Sequence, residues 1–280
     1  MNERRFRRRK IREPHRFGRG LSIIPSLFTV GNIFCGCYSA ISTLKGNYDN
    51  AALAIGVGYL LDGFDGRIAR MTNTASEFGL ELDSLADMIT FGVAPALLGF
   101  SWGLGSIPGV QADIAKHVNQ MGWLATFAFL LCGALRLARF NTQTRKPVES
   151  GSKRYFVGLP TPAAAGLIAS VVHFFKTPIT VVGSGLLWCF LMLLLSFLMV
   201  STVRYYSFKE FDLKKRRPGL MFVAVGMLIG IIIFYSEIVL LAMAVIYALS
   251  GPVMKLVRLA RRLAPSNDTS SEPAHDNIRN

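Results

Sequence analysis

The stretch "LLDGFDGRIARMTNTASEFGLELDSLADMI", residues 60–89, carries four aspartates, Asp62, Asp65, Asp83 and Asp87, inside a chain that is otherwise oily. Its neighbours, "AALAIGVGY" at 51–59 and "FGVAPALLGF" at 91–100, are apolar enough to sit in hydrocarbon. A carboxylate in that setting is costly unless something compensates it, and ionisable groups inside a membrane are functional by default.

Outward from this stretch, the composition points the same way. The 280 residues are 51% hydrophobic with mean hydropathy +0.40, yet the formal net charge is +14. Apolar runs long enough to cross a bilayer, separated by basic segments, account for both values. The expected fold is an all-α polytopic membrane bundle of eight spans, at about 21–44, 49–72, 77–101, 118–141, 159–176, 179–203, 218–235 and 236–254. Of the 31 Lys and Arg residues, all but Lys45, Lys116 and Lys176 fall on one side of this alternation. Both termini are therefore expected in the cytoplasm, in a cell (inner) membrane.

Residues 1–20 form a basic arm suited to an anionic leaflet, and the apolar run behind it is long enough to be retained as a span rather than cleaved as a signal. Nucleic acid is not the expected partner of this arm. Residues 21–254 form the membrane domain, and 255–280 form a polar, Pro/Ser-rich cytoplasmic tail expected to be disordered. The four cysteines lie in apolar segments without zinc or disulfide spacing. The four histidines, His15, His117, His173 and His275, form no recognisable constellation in the sequence.

The second and third spans enclose the acidic stretch. If they turn back near Thr74–Ala75, Asp62 comes level with Asp87 and Asp65 with Asp83. The i,i+3 and i,i+4 spacings put each pair on one helical face. Four carboxylates so placed repel one another and call for protons, arginine or divalent cations. Arg67 and Arg70 offset only part of the charge, and all-oxygen ligands favour Mg²⁺, Mn²⁺ or Ca²⁺. Two such ions balance four carboxylates, an arrangement suited to phosphoryl chemistry. Asp62 and Asp87 each lie about 18 Å along a helix from the turn, too deep for a simple surface loop. Gly63, Gly66 and Gly79 beside the acids leave room for a nucleotide or diphosphate to approach the backbone.

Written out, the pattern is Asp62-x-x-Asp65-Gly66-x-x-Ala69-Arg70, then Gly79-x-x-x-Asp83-x-x-x-Asp87. It resembles the signature of the CDP-alcohol phosphatidyltransferase family at every position. "LFTVGN" at 27–32, "LRLARFN" at 135–141 and "GLPTPAAAG" at 158–166 are similar to the branch of that family that transfers to serine, the phosphatidylserine synthases.

The resemblance implies transfer of a phosphatidyl group from CDP-diacylglycerol to L-serine, with release of CMP, at the cytoplasmic face. It implies that Asp62, Asp65, Asp83 and Asp87 hold two divalent cations, Mg²⁺ or Mn²⁺, and that Asp87 also serves as general base. Gly66, Ala69, Arg70, Ser76 and Gly79 would hold the CDP group, with Thr29 and Asn32 completing its pocket. Arg136, Arg139 and Asn141 would meet the donor phosphate or the serine carboxylate. A homodimer is left open, as is another acceptor such as glycerol 3-phosphate or an inositol phosphate. From a different class, a cation transporter would use the carboxylates as an ion path, but has no use for Arg70 and Gly79 at this spacing.

Overall fold

A computed structural model describes residues 23–72, 77–105, 111–144, 155–206, 226–227, 230–232 and 234–263. The described chain is a helical membrane bundle. Helix α1 (Ile23–Leu44) is followed by α2 (Tyr48–Thr72) and α3 (Glu77–Asp87). Helix α3 passes through a π-helical turn, Met88–Val93, directly into α4 (Ala94–Gly103). Then come α5 (Ala112–Thr144), α6 (Thr161–Phe175), α7 (Val182–Val200) and α8 (Ser236–Leu263).

Among the described residues, five runs are long and apolar enough to cross a membrane: Leu27–Leu44, Glu77–Gly103, Ala112–Thr142, Val182–Val200 and Ser236–Val257. Helix α6 is apolar but shorter. Helix α2 has the length of a span, but Asp62, Asp65, Arg67 and Arg70 lower its hydropathy. Most of the expected span at 218–235 lies outside the described residues, so the count of eight stays a sequence expectation.

The helix bounds differ from hydropathy in two places. Helix α5 starts at Ala112, before the apolar run, because "ADIAKHVNQ" is polar but compatible with helix. Helix α8 continues past Met254 to Leu263, so residues 255–263 are helical where a disordered tail was expected. The Lys, Arg and Leu residues that end the apolar run are good helix formers, and cations suit a helix C-terminus. A second departure from a purely helical reading is a two-stranded antiparallel ribbon. It pairs β1 (Tyr155–Val157) with β2 (Arg204–Tyr206), Phe156 opposite Tyr205. The buried Tyr205 donates its hydroxyl to the Ala248 carbonyl of α8 at 3.2 Å, anchoring the ribbon on the bundle.

Helix α6 lies at the centre, packed on α2 and α8, with buried Ala164, Ala165 and Ile168 facing its neighbours. Helices α2 and α3 do not form a tight hairpin. Among the described residues they make little direct backbone contact, while α1 packs against both and against the π turn.

The fit of α1, α2 and the π turn depends on absent side chains. Thr90 of the π turn is fully buried and donates its hydroxyl to the main-chain carbonyl of Asn32 at 2.8 Å. A methyl group on Gly58 would come within 2.6 Å of Thr90 Cγ2 and 3.0 Å of Asn32 Oδ1. Gly58→Ala is therefore expected to cost about 1–3 kcal/mol of stability through overpacking. A thermal midpoint equal to that of the parent chain would contradict this packing.

Candidate active site: a carboxylate cluster beneath a buried arginine

Helices α1, α2, α3 and α5 bring the site together. Helix α1 contributes Thr29 and Asn32, one turn apart and therefore on one face. The Thr29 hydroxyl donates to a carboxylate oxygen of Asp65, which is only 5% exposed. Asn32 is 1% exposed, and neither atom of its side-chain amide has a protein partner. A buried amide without partners is expensive unless a ligand completes its hydrogen bonds.

Helices α2 and α3 supply the acids. One carboxylate oxygen each from Asp62, Asp83 and Asp87 lies within 4.8 Å of the other two. Asp62 and Asp87 are in hydrogen-bonding contact, as the matched distances from the turn predict. One oxygen of Asp87 is buried without a hydrogen-bond partner. Asp65 stands slightly apart from this trio, held by Thr29, but close enough to Asp83 for the two charges to repel. The π turn begins at the residue after Asp87, and such widened turns recur at functional sites.

Helix α5 brings the balancing charge. Arg136 is largely buried, feels the charge of Asp87, and donates from Nη1 to Thr161 Oγ1 at a long 3.4 Å. Its Nε is buried with no partner, so the guanidinium keeps capacity for an anion. Tyr247 of α8 lies beside it. Arg139 is exposed one turn further on. Asn141 donates its amide to Ser84 Oγ at 2.9 Å, which ties the end of α5 to α3 next to Asp83.

Of the other residues singled out in the sequence, Gly66 faces open space where a side chain would meet nothing, and Gly79 is half-buried in the first turn of α3. The side chains of Ala69 and Arg70, and all of Ser76, lie outside the described residues. Four neighbours of the site went unnoticed in the sequence: Ser84, Thr90, Thr161 and Tyr247. Thr161 sits within the quoted "GLPTPAAAG" stretch and could have been found there. Ser84 and Thr90 look like ordinary helix residues, and Tyr247 is remote in sequence and has no local signal.

The family described as CDP-alcohol phosphatidyltransferase matches residues 22–194, well over half of the chain. This protein belongs to the CDP-alcohol phosphatidyltransferase family. It is 36% identical over 196 residues to a protein of Helicobacter pylori (strain 26695) named CDP-diacylglycerol--serine O-phosphatidyltransferase, covering 68% of this chain and 74% of the relative. A Bacillus subtilis protein of the same name is 36% identical over 200 residues, 71% of this chain and 98% of that one. One from Saccharomyces cerevisiae, again so named, is 38% identical over 155 residues, or 52% and 51%.

For a CDP-alcohol phosphatidyltransferase, the donor set can be tested against a metal. The acids offer oxygen only, at a mutual spacing a single cation can bridge, and Asp87 has a buried oxygen in need of a partner. Hard divalent cations fit that chemistry, whereas zinc prefers nitrogen and sulfur.

Proposed function

We propose that this enzyme transfers the phosphatidyl group of CDP-diacylglycerol to the hydroxyl of L-serine, giving phosphatidylserine and CMP at the cytoplasmic face of the cell membrane. The chemistry rests on the convergence of Asp62, Asp83 and Asp87 beside Asp65. The choice of serine rests on the names of the relatives, which are 36% identical to it over the aligned 196 and 200 residues. The cytoplasmic placement rests on the basic residues Arg67, Arg136 and Arg139 at the site's end of the bundle, by the positive-inside rule.

In this reading Asp62, Asp83 and Asp87 would hold one divalent cation, and Asp65, next to Asp83, would extend the set to a second. Bound there, the cations would supply charge neutralisation for the diphosphate and the departing CMP. The rest falls to the chain's own side chains. Asn32 and Thr29, with Gly66, Ala69, Arg70, Ser76 and Gly79, form the donor pocket; the buried amide of Asn32 gains partners from the nucleotide end. Arg136 binds an anionic group, the donor phosphate or the serine carboxylate, with Arg139 adding charge at the mouth. The link from Asn141 to Ser84 fixes α5 against α3, so that Arg136 and Asp87 keep their spacing.

Asp87 accepts the proton of the serine hydroxyl at a carboxylate oxygen. The freed oxygen attacks the phosphorus that carries diacylglycerol, a new P–O bond forms, and the bond to the CMP oxygen breaks. Orientation contributes more here than basicity, because a carboxylate is a weak base.

The test is purified protein in lipid nanodiscs with CDP-diacylglycerol, Mn²⁺ and one alcohol at a time. CMP release with serine, and none above background with glycerol 3-phosphate or an inositol phosphate, is the expected result. Release with a phosphorylated alcohol and not with serine would reassign the acceptor.

A further inference from the structure

At the opposite end of the bundle from the aspartates lies a second cluster of polar groups. His173, near the end of α6, is 6% exposed. Its Nδ1 meets Asp49 Oδ1 at 2.5 Å and its Nε2 meets Ser236 Oγ at 3.0 Å. Asp49 stands in the first turn of α2, and Ser236 opens α8. A few atoms away, Lys176 Nζ pairs with Glu237 at 2.5 Å, a second tie between the ends of α6 and α8. Residues separated by 124 and 63 positions thus meet on one imidazole.

The three helices joined here also build the acidic site. Helix α2 carries Asp62 and Asp65, α6 begins with Thr161, and α8 carries Tyr247 beside Arg136. The lengths match. From Asp49 to Asp62, from His173 to Thr161 and from Ser236 to Tyr247 the helices rise about 20, 18 and 17 Å. One imidazole therefore joins three rods of nearly equal length, and the far end of each rod meets the carboxylates or the arginine.

Helices in lipid lack a hydrophobic force to fix their sliding, so interhelical hydrogen bonds and close packing set their register. Helix α6 packs on both α2 and α8, so fixing its end fixes theirs. We propose that Asp49, His173 and Ser236 form a clamp that sets the axial height of α2, α6 and α8. Through it, His173 is a positioning residue for the spacing of Asp62 against Thr161, Arg136 and Tyr247. This inference rests on the reading of the carboxylates as a cation site, and it concerns residues far from any substrate.

The test measures Mn²⁺ binding by the electron paramagnetic resonance signal of free Mn²⁺, on purified protein without lipid donor or serine. His173→Ala is expected to weaken Mn²⁺ binding three- to tenfold while circular dichroism shows intact helix. His173→Gln, which keeps a hydrogen bond to one partner, should recover part of the loss, and Ser236→Ala should lose less than His173→Ala. If His173→Ala does not fold, the Gln and Ser236→Ala variants decide the matter by the same measurement.

A thermodynamic cycle with Thr161→Val adds a readout that general loosening would not move. Two sites so far apart should add within experimental error unless the helix couples them. Non-additive Mn²⁺ affinity supports the clamp. Unchanged Mn²⁺ affinity in folded variants, or strict additivity, overturns it. So would covalent labelling of Ser236 by a fluorophosphonate, since that would make the trio a nucleophilic site instead. If the parent chain itself binds no Mn²⁺, the cation reading fails first, and the two failures are told apart by that control.

Discussion

Asp87→Asn is expected to lower phosphatidyl transfer by two to four orders of magnitude while leaving CDP-diacylglycerol binding within a few-fold of the parent. The size of the loss is that of a general base removed from a positioned site. Asparagine keeps the shape of the side chain and can fill the same space between Asp62, Asp83 and Arg136, so folding should survive. What it lacks is an oxygen able to take a proton. The buried oxygen of Asp87 has no protein partner, which leaves it available for that proton. Single-turnover CMP release measured beside equilibrium binding of a CDP-lipid separates the two effects. Transfer at the parent rate would remove Asp87 from the chemistry. Loss of donor binding equal to the loss of rate would make it a ligand only.

Stripping divalent cations should abolish transfer altogether, with activity restored by Mg²⁺ or Mn²⁺ and not by Zn²⁺. Oxygen atoms of three carboxylates within 4.8 Å repel strongly. At an effective dielectric of about 20 each ionised pair costs roughly 3 kcal/mol. A divalent cation removes that repulsion, and without it the diphosphate would meet a wall of negative charge. Arg136 is a single cation and cannot balance Asp62, Asp65, Asp83 and Asp87 together. Chelation followed by metal add-back, monitored by CMP release, checks this directly. Full activity after exhaustive chelation would rule the arrangement out.

The acidic site was legible because its signal is local. Asp62 and Asp65 on one helix, and Asp83 and Asp87 on the next, sit at spacings that helical geometry converts to shared faces, and a reversal assumed near Thr74–Ala75 makes the faces level. The contact of Asp62 with Asp87 follows from that counting. The offset of Asp65 does not, because it depends on Thr29, 36 residues away on α1. Nor does the divergence of α2 from α3, which is set by α1 and the π turn packing between and across them.

His173 shows the limit most plainly. In the sequence it is one of four scattered histidines; in the bundle it is the point where three helices meet. Nothing near it in the chain announces Asp49 or Ser236.

By itself the sequence determined the class of fold and the chemistry at the centre. Alternating apolar and basic runs point to membrane helices, and the spaced aspartates call for protons, arginine or divalent cations to balance them. These are properties of single helices and of two neighbours in sequence, governed by periodicity and charge over a few turns. Only the tertiary structure decided which partners complete the site: Thr29 on Asp65, Arg136 near Asp87 with Tyr247 beside the arginine, Asn32 left with unmatched hydrogen bonds. Packing between distant helices is a collective result of side-chain shape, and a linear pattern carries little of it.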